Sequence, residues 1–331
     1  MMIRELLQEF ESKTILIVGD VMIDSYVMGK VQRISPEAPV PIVNLKKEEH
    51  RLGGAANVAL NIKSLGATPI LCSVVGNDES GNTFYQLLEQ EGMLFDGIVK
   101  SNERVTTVKK RILGNNQQLL RIDSENTHEL TPTESETFLN QLKRILSSKK
   151  IDGIILEDYN KGVLSKEVIR QTIALAKENN IPTTVDPKLH NFLEYKGVTL
   201  FKPNLKELRE GLNLSVDFSD KHSFDSAVDA LEEQLSNEIS FVTLSEDGVY
   251  IKNEKEAHHV KAHLRNITDV SGAGDTVISV ATLCLVSGCD IRTIAEISNL
   301  AGGLVCEKIG VVTIKPEEIL SAVEEKKKQS F

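Results

Sequence analysis

The chain has 331 residues, 40% of them apolar and 26% charged, with a formal net charge of −10. This is the composition of an ordinary globular protein with room for one large core or two smaller ones. The acidic balance excludes a bulk basic surface for nucleic acid, and no run approaches the roughly 18 consecutive apolar residues of a membrane-spanning helix.

Met1 to Glu11 carries Arg4, Glu5, Glu9 and Glu11 and has no apolar core of signal-peptide length. Thr14 to Val18 is an apolar, β-branched run that reads as a strand ending at Gly19-Asp20. Tyr26 to Val31 and Pro39 to Leu45 read as a strand pair with no helix between them. Ala55 to Leu65 has helical spacing and is closed by Gly66. A strand at Pro69 to Val75 and a helix at Glu79 to Gln90 follow. Thr106 to Ile112 and Gln117 to Ile122 read as a hairpin turning at Gly114-Asn115-Asn116. Beyond it come a helix at Glu134 to Leu146, a strand at Gly153 to Leu156, a helix at Lys166 to Glu178 and strands at Pro182 to Val185 and Val198 to Phe201. A helix after Pro203-Asn204, a strand at Ser240 to Leu244 and long helices after Gly272 complete the chain. The alternation predicts an α/β fold with a mostly parallel, doubly wound sheet and helices on both faces. In such sheets ligands lie beyond the carboxyl ends of the strands. Gly19-Asp20, Glu157-Asp158, Asp186-Pro187 and Pro203-Asn204 all fall there, so one rim is expected to gather them.

No repeat or linker interrupts the chain, so a single domain over residues 1–331 is expected. Segments at about 24–46 and 104–123 would form a small projecting β lid that keeps water from the site. Cys72, Cys284, Cys289 and Cys306 form no CxxC pair and lie mostly in apolar segments. Buried thiols in a reducing, cytoplasmic setting are expected. His258, His259 and His263 lack metal-site spacing and read as part of a surface strand.

Two glycine-led helix starts carry the chemistry. In Thr268-Asp269-Val270-Ser271-Gly272-Ala273-Gly274-Asp275-Thr276, small residues leave backbone N–H groups free to face an anion. Asp275 then stands in the first turn, where a general base reaches a hydroxyl beside a phosphate. In Gly53-Gly54-Ala55-Ala56-Asn57 the glycines allow close backbone approach, and Asn57 offers both a donor and an acceptor to sugar hydroxyls. Asp24 could accept hydrogen bonds from two adjacent hydroxyls. Taken singly, each of these also fits a structural loop or a tight helix contact. Neither GxxxxGK[ST] nor a strand-linked GxGxxG is present.

Together, the early GGxxN helix start and the late DxxGAGD resemble the PfkB (ribokinase-like) carbohydrate kinase family over nearly the whole chain. Gly19-Asp20-Val21-Met22-Ile23-Asp24, Arg33-Ile34-Ser35-Pro36-Glu37-Ala38-Pro39-Val40-Pro41 and Asn116-Gln117-Gln118-Leu119-Leu120-Arg121-Ile122-Asp123 narrow the resemblance to D-glycero-β-D-manno-heptose-7-phosphate kinases. Asp158-Tyr159-Asn160-Lys161-Gly162 and Asp186-Pro187-Lys188 do the same. The resemblance implies a ribokinase-like fold and transfer of the ATP γ-phosphoryl group to the anomeric hydroxyl of the heptose 7-phosphate, in ADP-heptose and lipopolysaccharide core synthesis. It implies Asp275 as catalytic base and Gly272, Ala273 and Gly274 as its anion hole. Asn204 and Glu207 would lie at the nucleotide and Mg²⁺ end, with Glu207 acting through metal-bound water. Ser245 to Gly248 and Asn299 would border ATP, and Asp24, Gly53, Gly54 and Asn57 the sugar. Arg33, Lys110, Arg111, Arg121, Lys161 and Lys188 are the candidates for the substrate's own phosphate, with Lys161 and Lys188 ranked first because strand-end loops carry them.

The resemblance further implies a homodimer through the lid and a monovalent cation such as K⁺ near Asp269. Many relatives continue into a nucleotidyltransferase domain. None is read in this sequence, which is then either a stand-alone kinase or one half of a divided pair whose separate nucleotidyltransferase chain acts in the same pathway. Two departures stand out: Thr276-Val277-Ile278-Ser279-Val280 follows the catalytic Asp, and Leu189-His190 replaces the usual Gly after Asp186-Pro187-Lys188. A kinase for another phosphosugar or a nucleoside remains an alternative, as does a catalytically inactive sugar-phosphate sensor. Retention of Asp275 with its glycines argues against the sensor.

Overall fold

The computed structural model describes residues 3–262 and 267–329. The chain opens with α1 (Ile3–Phe10) and β1 (Thr14–Gly19), then runs into two long strands, β2 (Val21–Ile34) and β3 (Pro41–Gly54). α2 (Ala55–Ser64), β4 (Thr68–Gly76), α3 (Glu79–Gln90), β5 (Gly97–Ser101), β6 (Val108–Gly114) and β7 (Gln117–Ser124) follow. Next come α4 (Pro132–Ser148), β8 (Gly153–Glu157), α5 (Lys166–Glu178), β9 (Thr183–Asp186), β10 (Leu200–Phe201), α6 (Leu205–Leu212) and α7 (Lys221–Leu235). β11 (Ile239–Thr243), β12 (Val249–Lys252), β13 (Ala257–Val260), α8 (Ala273–Val286), α9 (Ile291–Cys306) and α10 (Pro316–Gln329) complete it.

Nine strands form one sheet in the order β13-β12-β11-β10-β9-β8-β1-β4-β5. It is parallel from β11 to β5, and β12 and β13 form an antiparallel edge. Burial on both faces explains why its strands read as unbroken apolar runs. Successive residues of β1 serve opposite faces: Ile15 and Ile17 join the core under α1, α2, α3, α8 and α9, whereas Leu16 and Val18 join the core under α4, α5 and α7. Each such side chain contributes about 1.5–3 kcal/mol by leaving water. α8 is apolar nearly all round, and its residues from Asp275 to Cys284 are buried, so the helix runs through the interior.

The remaining strands form a second sheet, β3-β2-β6-β7, with β2 and β6 parallel and the other pairs antiparallel. β2 is buried from Val21 to Ser25 and then leaves the body. Every residue of β7 is exposed.

The α/β fold with its mostly parallel sheet is as expected, but several elements differ from the sequence reading. β2 extends past Tyr26–Val31 at both ends, and β3 starts at Pro41 but runs well past Leu45, because their alternation is blurred where one face meets solvent. α1 presents Leu6, Leu7 and Phe10 to the core, at a helical spacing. β5, α7 and β12 are further additions. Cys72 and Cys284 are buried thiols; Cys289 and Cys306 are only half-buried, a correction to the expectation. His258 and His259 lie in β13 and bond to Glu256 and to the Asp247 carbonyl respectively; His263 lies outside the described residues. No described helix is long and apolar enough to cross a membrane.

Candidate active site

The site forms at the carboxyl ends of β1, β8 and β9, where α8 begins. Gly272 caps α8 with φ 78°, a left-handed conformation that glycine adopts at little cost. Asp269 shapes the approach by accepting from the N–H groups of Ser271 and Gly310, both at 2.9 Å. The Ala273 N–H turns back to the Val270 carbonyl at 3.3 Å. A Cβ on Gly274 would lie 3.5 Å from Asp186 Oδ2, so the helix start faces that carboxylate closely.

Asp275 is buried in the first turn. Its Oδ2 accepts from Asn57 Nδ2 at 2.6 Å and its Oδ1 from the Tyr159 hydroxyl at 2.7 Å. Burial pushes its pKa up to about 6 even though Asn57 and Tyr159 stabilise the anion. A carboxyl group with that affinity for a proton is suited to general-base work near neutral pH.

The glycine pair before α2 is required by close approach. A Cβ on Gly53 would stand 2.4 Å from Asp24 Oδ2, and one on Gly54, at φ 61°, would stand 2.5 Å from the Asp20 carbonyl. Asp24 Oδ1 is paired with Arg111 at 2.5 Å. The guanidinium groups of Arg111 and Arg51 both lie over the Tyr26 ring, 5.3 and 5.1 Å from its centroid.

Behind Asp275 stands an acidic group. Carboxylate oxygens of Glu157, Asp186 and Asp275 lie within 4.8 Å of one another. Lys202 Nζ pairs with Asp186 Oδ2 at 2.8 Å, and Lys188 Nζ lies 2.6 Å from Glu207 Oε1 and 3.9 Å from Asp186 Oδ1. Neither oxygen of the fully buried Glu157 has a hydrogen-bond partner. Burial, with Asp186 and Asp275 nearby, holds the Glu157 pKa well above the carboxylate range. Burial alone would lower the Lys188 pKa; Asp186, Glu207 and Glu157 outweigh it and raise it. Orphaned, buried oxygens in an all-oxygen set suit a hard divalent cation such as Mg²⁺. Glu207 is already engaged on both oxygens, by Lys188 and by the Asn204 N–H, in the reciprocal cap that starts α6. It therefore fits a cation through water and not by direct contact.

The other sequence-derived residues are spread more widely. Ser245 and Gly248 bound a tight turn, both at positive φ. Asn299 donates to the carbonyls of Lys261 (2.9 Å) and Val260 (3.4 Å). Among the six candidate cations, Lys188 belongs to the acidic group. Arg111 sits on Asp24, and Lys161 pairs with Glu125 at 2.8 Å. Lys110 pairs with Glu48 and Arg121 with Asp123. Arg33 is exposed on the outer part of β2. Sequence reasoning named Asp20, Glu157 and Asp186 as strand-end positions without giving them roles. It quoted Tyr159 within a motif without a role, and it missed Lys202, Lys109 and Arg51. Lys202 directly follows a buried strand, and Tyr159 and Lys161 share one strand-end loop; those positions were the available signals.

A model described as pfkB family carbohydrate kinase matches residues 12–318. A bifunctional protein HldE of Helicobacter hepaticus is 39% identical over 316 residues, covering 95% of this chain and 64% of its own length. One from Mesorhizobium japonicum is 39% identical over 317 residues, covering 95% and 62%. The chain thus spans a little under two thirds of these relatives. The crystal structure of phosphofructokinase-2 from Escherichia coli in complex with fructose-6-phosphate superposes with TM-score 0.77 at 18% identity, covering 95% of this chain and 98% of that one. Arabidopsis thaliana ribokinase complexed with ribose and ATP gives 0.71 at 15%, covering 94% and 98%. The matched stretch takes in both glycine-led helix starts and every side chain around Asp275, and the chain belongs to the pfkB family of carbohydrate kinases, phosphotransferases that act on an alcohol group.

Proposed function

We propose that this chain transfers the γ-phosphoryl group of ATP to the anomeric hydroxyl of D-glycero-β-D-manno-heptose 7-phosphate, giving the 1,7-bisphosphate for ADP-heptose synthesis. The observation that carries the reading is Asp275, buried at the start of α8 and held on both oxygens. The similarity to the HldE proteins supports the choice of sugar.

In this reading Asp24 and Asn57 orient the sugar, and Asp275 takes the proton of the anomeric O–H. The freed oxygen bonds to the γ-phosphorus while the bond from that phosphorus to the β,γ-bridging oxygen breaks, its electron pair leaving with ADP. N–H groups of Gly272 and Gly274 face the charge on the transferred group, and that of Ala273 joins them on leaving the Val270 carbonyl. Glu157 and Asp186, with Glu207 through water, would hold Mg²⁺. Bound with the nucleotide, Mg²⁺ would neutralise charge on the phosphate oxygens. Ser245, Gly248 and Asn299 border the nucleotide, and Asp269 marks the seat of a monovalent cation such as K⁺.

The acceptor's phosphate is assigned to the base of the second sheet. There Lys109 stands near Lys161 and two residues from Arg111 on β6; burial and then Lys161 lower the Lys109 pKa against the opposing pull of Glu125, Asp123 and Asp24. An anion would relieve that crowding of like charges. The second sheet serves as the lid of a single kinase domain. Its exposed Ile34, Leu45, Leu120 and Ile122 offer a face to a second copy of the chain. The chain is assigned to the cytoplasm, and nucleotidyl transfer to a region or chain outside this stretch.

The test is an ATP-consumption assay with Mg²⁺ against heptose 7-phosphate, fructose 6-phosphate, fructose 1-phosphate, ribose and a nucleoside. Turnover confined to heptose 7-phosphate is expected. Turnover on another acceptor alone overturns the substrate, and binding without turnover favours a sensor.

A further inference from the structure

The loop from Asp158 to Val163, between β8 and α5, has no exposed residue and is tied down along its whole length. Asp20, buried at the end of β1, accepts three of its backbone N–H groups: Tyr159 and Lys161 on Oδ2, both at 2.9 Å, and Val163 on Oδ1 at 3.0 Å. Asp158 Oδ1 accepts from the Asn160 N–H at 2.7 Å, and its Oδ2 accepts from the buried Tyr195 hydroxyl at 2.7 Å. Asn160 and Gly162 both take positive φ, and a Cβ on Gly162 would meet the His128 carbonyl at 1.9 Å. Arg104 reaches across to the carbonyls of Lys161 and His128. From this scaffold Tyr159 reaches into the site, and its hydroxyl ends on Asp275 Oδ1.

We propose that Tyr159 is a positioning residue for phosphoryl transfer, fixing the rotation of the Asp275 carboxylate so that a lone pair faces the acceptor hydroxyl. A carboxylate held on one oxygen alone turns about its Cβ–Cγ bond, and misdirection by a fraction of an ångström is costly in proton transfer. Asn57 holds Oδ2; Tyr159 supplies the second point that stops the turn. The phenol is the donor of the pair, since an ionised carboxylate only accepts. Lys188 Nζ, 5.6 Å from the ring centroid, sits over its face. Asp20 fixes the backbone from which Tyr159 reaches. No proton passes through Tyr159 in this role.

The inference rests on the kinase reading above, and its test separates the two. Tyr159→Phe keeps the ring and all the backbone bonds to Asp20. In the Mg²⁺–ATP assay, kcat is expected to fall about 10–100-fold while KM for ATP and for the acceptor stays within about twofold. In an Asp275→Asn background the same substitution should cost nothing more, because its effect runs through Asp275. An unchanged kcat, a loss carried by KM, or an equal further loss in the Asp275→Asn background overturns the proposal. Thermal unfolding midpoints of the wild type, the two single variants and the double variant give a readout that needs no turnover. Non-additive midpoints are expected from a direct Tyr159–Asp275 contact, and additive midpoints overturn it. If the wild type turns over no acceptor, the kinase reading fails and the midpoints still decide the contact.

Discussion

The rim of the main sheet and the outer half of the second sheet are built on opposite terms. At the rim, Asp20, Glu157, Asp158, Asp186 and Asp275 are all buried, and every one except Glu157 is held by hydrogen bonds or an ammonium group. In the outer sheet Ile34, Leu45, Leu120 and Ile122 are at least half exposed, and β7 has no buried residue. Placement at the rim is enforced by the cost of leaving a buried charge unpaired, which exceeds the worth of any single surface contact. The outer sheet has no such enforcement within one chain. Precision is therefore concentrated where the buried carboxylates gather, and tolerance where the chain meets solvent.

That contrast can be broken from the rim side first. Asp275→Asn should lower kcat by about 10²–10⁴-fold while the fold and nucleotide binding persist, checked by steady-state assay and calorimetry. Near-normal turnover would remove Asp275 from the chemistry. Ile17→Ala, beneath the rim in β1, should cost about 2–5 kcal/mol in urea unfolding, since close packing leaves little room to collapse around the gap. A loss under 1 kcal/mol, well below the ~2–5 expected, would show a looser core than the burial implies. The pH profile tests the base more gently. With the Asp275 pKa raised to about 6, its ionised, proton-accepting form is present above that value and is lost as pH falls through it. kcat should then drop about tenfold for each unit below about 6. A flat profile from pH 7 down to about 5 would put the proton elsewhere.

The smallest effect sharpens the other side. Ile122→Ser on β7 should change unfolding stability by no more than about 0.5 kcal/mol, because the residue is half exposed in the single chain. Light scattering should show a shift from dimer to monomer. A stability loss without that shift would mean that the outer sheet is fixed from within the chain.

Much of the rim was legible in the sequence. A β-branched run such as Thr14 to Val18, buried on both faces, leaves a signal that needs no context, and a glycine pair before a helix announces close approach. What close approach serves was less visible: Gly53 makes room for Asp24, and Gly54 for the Asp20 carbonyl. Lys188 was legible as a strand-end cation and illegible as the partner of Glu207 and Asp186, because pairing across strands is set by tertiary packing. Lys202 is buried although lysine rarely is, and only the neighbouring Asp186 makes that tolerable. Tyr159 could be read as an aromatic in a loop; its hydroxyl partner lies 116 residues away.

β2 is one uninterrupted strand with its root in the core and its tip in solvent. Val21 and Ile23 are clamped in the core beneath α2, and Asp24 follows at once. From Ser25 to Ile34 the strand runs outward for about 30 Å, at ~3.3 Å per residue. Mechanically this is a lever with its fulcrum beside the Asp24 carboxylate. A swing that carries the tip through several ångströms moves Asp24 by only a small fraction of that distance. Access to the site can therefore change widely while the spacing between Asp24 and Asp275, on which alignment of the acceptor depends in the proposed mechanism, stays nearly constant.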